Sequence, residues 1–290
     1  MILEIGFAFA FAAMLCWGVG DFLIQRSTRR MGDWETLFVI TAFGALVLLP
    51  FVYNDITQLL SLGYGLLVLM VASIALLIAA LFDYEALKKG KASVIEPIMT
   101  LEIPITGAMA FAVMGEQIGI TDALLIAALM AGIFLVSLKK HHLSKTAWME
   151  RGVAIAIAGA VFMGLSNFFV GFASRVTNPL IVNWFLNAFL LLAAVLYLAF
   201  AKRLRALVAD IRRERRLVLA TSALDNGAWI SFAFAATMIP ITFTVAISES
   251  YIIITALLGM WLNREVLLRH QKAGLVVGVA SAIALAMTMG

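Results

Sequence analysis

The chain has 290 residues, 63% of them hydrophobic and only 13% charged, and its mean hydropathy is +1.04. Soluble domains hold roughly 45–50% apolar and ~25% charged residues, so the composition excludes an ordinary water-soluble enzyme or binding module and indicates a multi-pass membrane protein. The excess of 21 basic over 17 acidic residues calls for no nucleic-acid partner, because the basic residues collect in short loops, and the single cysteine, Cys16, can form no intramolecular disulfide.

Ten apolar runs, bounded by charges, Gly, Pro or Asn, approach or exceed the roughly 20 residues a membrane helix needs. The first, 4–25, opens on "MILE" with no basic segment ahead of it, and it outruns a signal-peptide core. It is expected to be a retained helix. Within it, "LCWGVGDFLIQRS" (15–27) carries one acid, Asp21. Runs 35–53 and 63–87 follow, the latter with Asp83 and Glu85 near its end; then 92–114, holding Glu96, Pro97, Glu102 and Pro104, and 120–138. Beyond the basic loop "KKHHLSKTAWMER" (139–151) come 152–174, 179–201, 218–238 with Asp225, 242–262 with Glu249, and 271–289. Strands of a membrane barrel are about half this length and alternate in polarity. The expected fold is therefore an all-α integral membrane protein of ten transmembrane helices.

Twenty of the 21 basic residues lie in the loops after the first, third, fifth, seventh and ninth runs, and Arg175 alone lies on the opposite side. Short basic loops stay cytoplasmic, which predicts extracytoplasmic termini and places the protein across a cell (plasma or inner) membrane. "KRLRALVADIRRERR" (202–216) is read as a topology determinant touching anionic lipid.

The chain also divides evenly. "WGVGDF" (17–22) aligns with "MGLSNF" (163–168), setting Asp21 against Asn167, and Glu116 and Glu265 each close a run that precedes a last, Gly-containing one. Two homologous units of five spans, residues 1–138 and 152–290 around the linker 139–151, must have opposite orientations, because five is odd. Such inverted repeats hold their ligand sites near the membrane midplane, where the repeats meet.

An acid near the bilayer centre costs around 2.5–3.5 kcal/mol and should face a polar interior. By helical rise Glu102 lies close to the centre and Glu249 moderately near it, while Asp21, Glu96 and Asp225 fall in the cytoplasmic third. One reading has these carboxylates binding a cationic group or carrying a proton. The other has them hydrogen-bonded to polar side chains of neighbouring helices. Asp83 and Glu85 are expected to pair at the interface with Lys88, Lys89 and Lys91. Trp17 and Asp21, like Asp225 and Trp229, stand four residues apart and share a helix face. An aromatic wall beside an acid suits an amine, and packing alone would also account for both tryptophans. Tyr251, Asn226, Ser248 and Ser250 cluster around the same acids, with Tyr84 a weaker candidate beside Asp83. Pro97 and Pro104 free backbone carbonyls and are the hinge candidates.

"CWGVGDF" in the first span, "YEALKKGKASVIEPI" (84–98), Pro104 followed by "GE" at 115–116, and Gly132 together resemble the EamA-type pattern of the drug/metabolite transporter superfamily. The resemblance implies a ten-helix carrier with two inverted EamA repeats, commonly an exporter of small metabolites or amino acids; the mechanism expected for this chain is alternating access, with proton antiport through the intramembrane acids as one energy source. Members of the family are commonly drawn with both termini in the cytoplasm, opposite to the charge bias of this chain. A multidrug or organic-cation exporter and an uncoupled facilitator or exchanger are the alternatives. No phosphate-cradling GxxxxGK[ST], HExxH or CxxC is present, so no enzyme activity, cofactor or metal is expected. The partners expected are a small-molecule substrate and the lipid bilayer, and ten helices in one chain let a monomer suffice.

Overall fold

The structure is a computed structural model, and it describes residues 2–59, 63–89, 98–137, 151–254 and 268–288. The described residues are helical throughout, without strands. In chain order the helices are α1 (Ile2–Arg30), α2 (Asp33–Val52), the single turn α3 (Ile56–Leu59), α4 (Tyr64–Lys89), α5 (Glu102–Met114), α6 (Ile120–Ser137), α7 (Arg151–Val176), α8 (Pro179–Phe200), α9 (Leu204–Arg213), α10 (Arg215–Met238), α11 (Ile241–Ser248) and α12 (Arg269–Met287).

Eight of these, α1, α2, α4, α6, α7, α8, α10 and α12, are long and apolar enough to cross a bilayer. The remaining two predicted spans, 92–114 and 242–262, differ from the continuous helices expected. In the first, Ile98 and Met99 are helical, Thr100 and Leu101 form a turn, and α5 begins at Glu102. In the second, α11 ends at Ser248, a turn occupies Glu249 and Ser250, and a helical turn resumes at Tyr251–Ile254. Both interruptions coincide with a buried glutamate. Pro104 belongs to the first turn of α5, where a missing N–H leaves no intrahelical bond unmade, and it is exposed on the outer surface of the bundle. Glu96, Pro97, Glu265 and the linker 139–150 lie outside the described residues.

The main packing joins α1 to α10, α2 to α8, α4 to α7 and α6 to α12. Each pair takes one helix from residues 2–137 and one from 151–288, so the two halves interleave. Small residues line the seams: Ala72, Ala79 and Ala86 of α4 and Ala156 and Ala160 of α7 are fully buried or nearly so, and α6 meets α12 through Gly132, Gly274 and Gly278. A Cβ added to Gly132 would stand 2.6 Å from the Gly278 nitrogen. Lipid tails are as apolar as leucine, so close backbone approach rather than expulsion of water holds these pairs together. The large apolar side chains left outside, among them Leu46, Phe51, Leu67, Leu124, Leu196 and Val276, are the lipid-facing surface. Buried hydroxyls of Ser73, Ser174 and Thr244 donate to the carbonyl four residues back in their own helices, which satisfies them without water.

Candidate functional site

One cavity of about 100 Å³, room for several waters, sits inside the bundle. It is walled by α1, α2, α4, α7, α8, α10 and the two interrupted segments, and α6 and α12 stand outside it. Its charged lining residues are all acidic: Asp21, Asp83, Glu102, Asp225 and Glu249. No Lys, Arg or His is among them.

The helix interruptions position the two glutamates. Glu102 starts α5 and Glu249 caps the C-terminus of α11; they are 3% and 6% exposed, and their carboxyls lie within hydrogen-bonding reach of each other. Asn167 of α7 donates from Nδ2 to Glu102 Oε2 at 3.1 Å. Because a carboxylate only accepts, that bond fixes the amide orientation and turns Asn167 Oδ1 into an acceptor. Among the described residues this buried oxygen has no hydrogen-bond partner. The Tyr251 hydroxyl donates to Asp21. Thr106 Oγ1 ties α5 to α7 by donating to the Gly164 carbonyl at 2.9 Å.

The paired spacings read from the sequence converge. Trp17 and Trp229 meet edge to face, with ring centroids 5.2 Å apart, and both contact Phe232. Both indoles and both neighbouring acids, Asp21 and Asp225, line the cavity. Asn226 stands behind the wall instead. Its Nδ2 donates to the Ile40 carbonyl at 3.0 Å and its Oδ1 accepts from Asn187 at 2.9 Å, binding α10 to α2 and α8. Ser248 donates to a carbonyl of its own helix, and Glu96 is outside the described residues.

Three polar lining groups were not singled out by sequence, and a fourth, Asp83, was placed elsewhere. Asp83, expected at the interface with lysines, faces the cavity, as do Thr41, Asn183 and Asn187. The two asparagines did leave a signal, since polar residues four apart in the apolar run "VNWFLNAF" share one helix face.

From the cavity, α5 and α7 run toward a second polar cluster. Arg175, roughly 12 Å along α7 from Asn167 by helical rise, contacts Glu116 Oε1 at 2.9 Å and donates to the carbonyls of Ala236 at 2.6 Å and Ile239 at 2.8 Å. Glu116 in turn accepts from the Ile241 N–H at 3.0 Å, at the start of α11. Between this clasp and the cavity, Ala110, Phe168, Ala236 and Ile241 form a fully buried apolar plug. The opposite end, near the cavity, carries Glu35, 2% exposed and paired with Arg203 at 2.8 Å, together with the Arg30–Glu214 ion pair.

Residues 4–138, the first five predicted spans, match the model of the EamA-like transporter family. The first half of the chain is thus similar to the EamA-like transporter family. Its eight long apolar helices mark it as a multi-pass membrane protein. The fold of the chain is shared along its length with a solved crystal structure, described only as that of a protein, at a TM-score of 0.74 and 15% identity, covering 98% of this chain and 96% of the other. That likeness concerns the fold alone. No curated protein matches the sequence.

Proposed function

We propose that this protein is a transporter that exports small amine-bearing metabolites, such as amino acids, by alternating access and in exchange for protons. The observation that carries the reading is the acid-only lining of the cavity. A cation entering it meets carboxylates on several sides, whereas a substrate of net negative charge meets repulsion. Among amino acids, those with a net positive charge fit best. The unpartnered Asn167 Oδ1 adds an acceptor for an ammonium N–H.

Glu102 and Glu249 are the exchange pair in this reading. Two ionised carboxylates cannot hydrogen-bond to each other, so their contact needs a proton on one of them. A substrate ammonium placed between them takes over the proton's electrostatic role, and the proton is released. Asp21, held by Tyr251, and Asp225 position the cation from the other side, with Asp83 adding negative charge.

Two inverted units, residues 1–138 and 152–290 joined by 139–151, are supported by the interleaved pairing: exchanging the two halves turns the α1–α10 pair into the α7–α4 pair and maps α2–α8 and α6–α12 onto themselves. With the basic loops in the cytoplasm the cavity lies toward that side, and the Arg175–Glu116 clasp closes the outer end. A monomer contains every lining group.

Proton flux in proteoliposomes under an imposed pH gradient, with lysine, neutral amino acids and organic cations added in turn, tests the proposal. Substrate-driven proton movement that disappears in Glu102→Gln or Glu249→Gln supports exchange. Substrate uptake without proton movement, unchanged in both variants, overturns it in favour of a facilitator. The indole pair supports a second reading, an exporter of quaternary or aromatic cations. There, Trp229→Leu should weaken binding of a quaternary ammonium about fivefold, the ~1 kcal/mol typical of a cation–π contact, and leave lysine binding unchanged.

A further inference from the structure

On the lipid-facing side of the α1–α10 pair, at the end where the basic loops gather, lies a groove of about 490 Å³ that is separate from the central cavity. Its rim is made by Arg26 and Arg30 at the end of α1 and by Arg213, Arg215 and Arg216 at the junction of α9 and α10. Glu214 is the one acid on it, and it is already engaged by Arg30 and Arg213. Arg26, Arg215 and Arg216 have no ion pair among the described residues. The floor is apolar, formed by Leu23, Leu217 and Ala220. Below it the seam continues past Leu15, Val19 and Leu219, all exposed on the outer surface.

The helix beside the groove fixes its depth in the membrane. In α9 the apolar residues Leu204, Leu207, Val208 and Ile211 follow helical spacing, with Arg205, Asp210, Arg212 and Arg213 on the remaining face. Leu207 is anchored in a buried cluster with Met31, Val39, Leu198 and Val218, while Leu204 and Val208 are exposed. A short helix with an anchored residue, an exposed apolar edge and an arginine face lies in the interfacial layer. The arginine rim therefore sits at headgroup level and the apolar seam at acyl level.

We infer that this groove binds one anionic phospholipid, its phosphate held by Arg26, Arg215 and Arg216 and an acyl chain lying along the α1–α10 seam. Guanidinium groups suit phosphate because their planar donors can bond two of its oxygens together. A free phosphate ion would use the rim and leave the apolar floor without a role. A bound lipid would tie the end of α1 to the start of α10, the two helices that bring Asp21, Trp17, Asp225 and Trp229 to the cavity. Transport should then respond to the lipid that occupies the groove.

The test uses the full chain in detergent micelles, with phosphatidylglycerol or phosphatidylcholine titrated in and bound lipid counted by native mass spectrometry. One tight phosphatidylglycerol site is expected, with phosphatidylcholine much weaker. Neutralising a basic residue at an anionic surface costs about fivefold in affinity, so Arg26→Gln/Arg215→Gln/Arg216→Gln should weaken the site roughly 100-fold. The charge-matched Arg205→Gln/Arg269→Gln/Lys272→Gln should keep it. If the triple variant fails to fold, Arg26→Gln and Arg215→Gln alone should each show the fivefold loss. Equal loss in the charge-matched variant, equal binding of phosphatidylcholine, or displacement of the lipid by millimolar inorganic phosphate would each overturn the assignment.

Discussion

Asn167 has one hydrogen-bonding choice, and the glutamate beside it makes that choice. With Nδ2 committed to Glu102, Oδ1 is left as a buried neutral acceptor without a partner among the described residues, on a residue that lines the acidic cavity. Asn167→Ala removes a donor from a buried carboxylate as well as an acceptor from the ligand, and bonds to charged groups are worth about 1.5–3 kcal/mol each. Substrate affinity should fall at least tenfold, as measured by tryptophan-fluorescence titration. Asn167→Asp adds a sixth carboxyl with no donor for Glu102, and it should be the more damaging of the two. Aligning Asp21 with Asn167 was possible from sequence. The bond to Glu102 was not, because it depends on the turn that brings two helices of different halves together.

At the scale of elements, the ten apolar runs and the acids in them were legible, since hydrophobic length and isolated charges are local properties of a sequence. The interruptions at Thr100–Leu101 and Glu249–Ser250 were not. Apolar runs read alike whether the helix within them is whole or broken, and Pro104, which suggested a kink, falls in a first turn. Asp83 was misplaced for a related reason: nearby lysines in sequence suggested a local ion pair, whereas the seam of α4 against α7 turns that carboxyl inward. The glycine seam between α6 and α12 carries its own prediction. Gly132→Leu drives a side chain into the Gly274–Gly278 backbone, where overpacking typically costs 1–3 kcal/mol and here has no flexible neighbour to yield. Thermal unfolding in detergent should drop by several degrees, while the isolated substitution leaves every cavity residue in place.

At the scale of the molecule, the clasp and the cavity form one device. Arg175 joins α7 to the ends of α5 and α10 and, through Glu116, to the start of α11, so it holds four segments closed over the apolar plug. Arg175→Gln removes the ion pair and most of the carbonyl bonds. In a Cys16→Ala background, an Ala110→Cys probe in the plug should then react with a membrane-impermeant thiol reagent at least tenfold faster than with Arg175 intact. Unchanged labelling would show that the plug alone seals that end.

The interleaved pairing also governs how the protein is made. When the first half has left the ribosome, α1, α2, α4 and α6 are in the bilayer, but none has met its main partner. The α4 seam is covered first, by α7, then α2 by α8 and α1 by α10, and α6 waits for α12 at the very end of the chain. Asp21 therefore spends most of synthesis in the membrane without Tyr251. The first half should be a substrate for membrane quality control when produced alone, and it should be rescued from degradation when residues 145–290 are co-expressed as a separate chain.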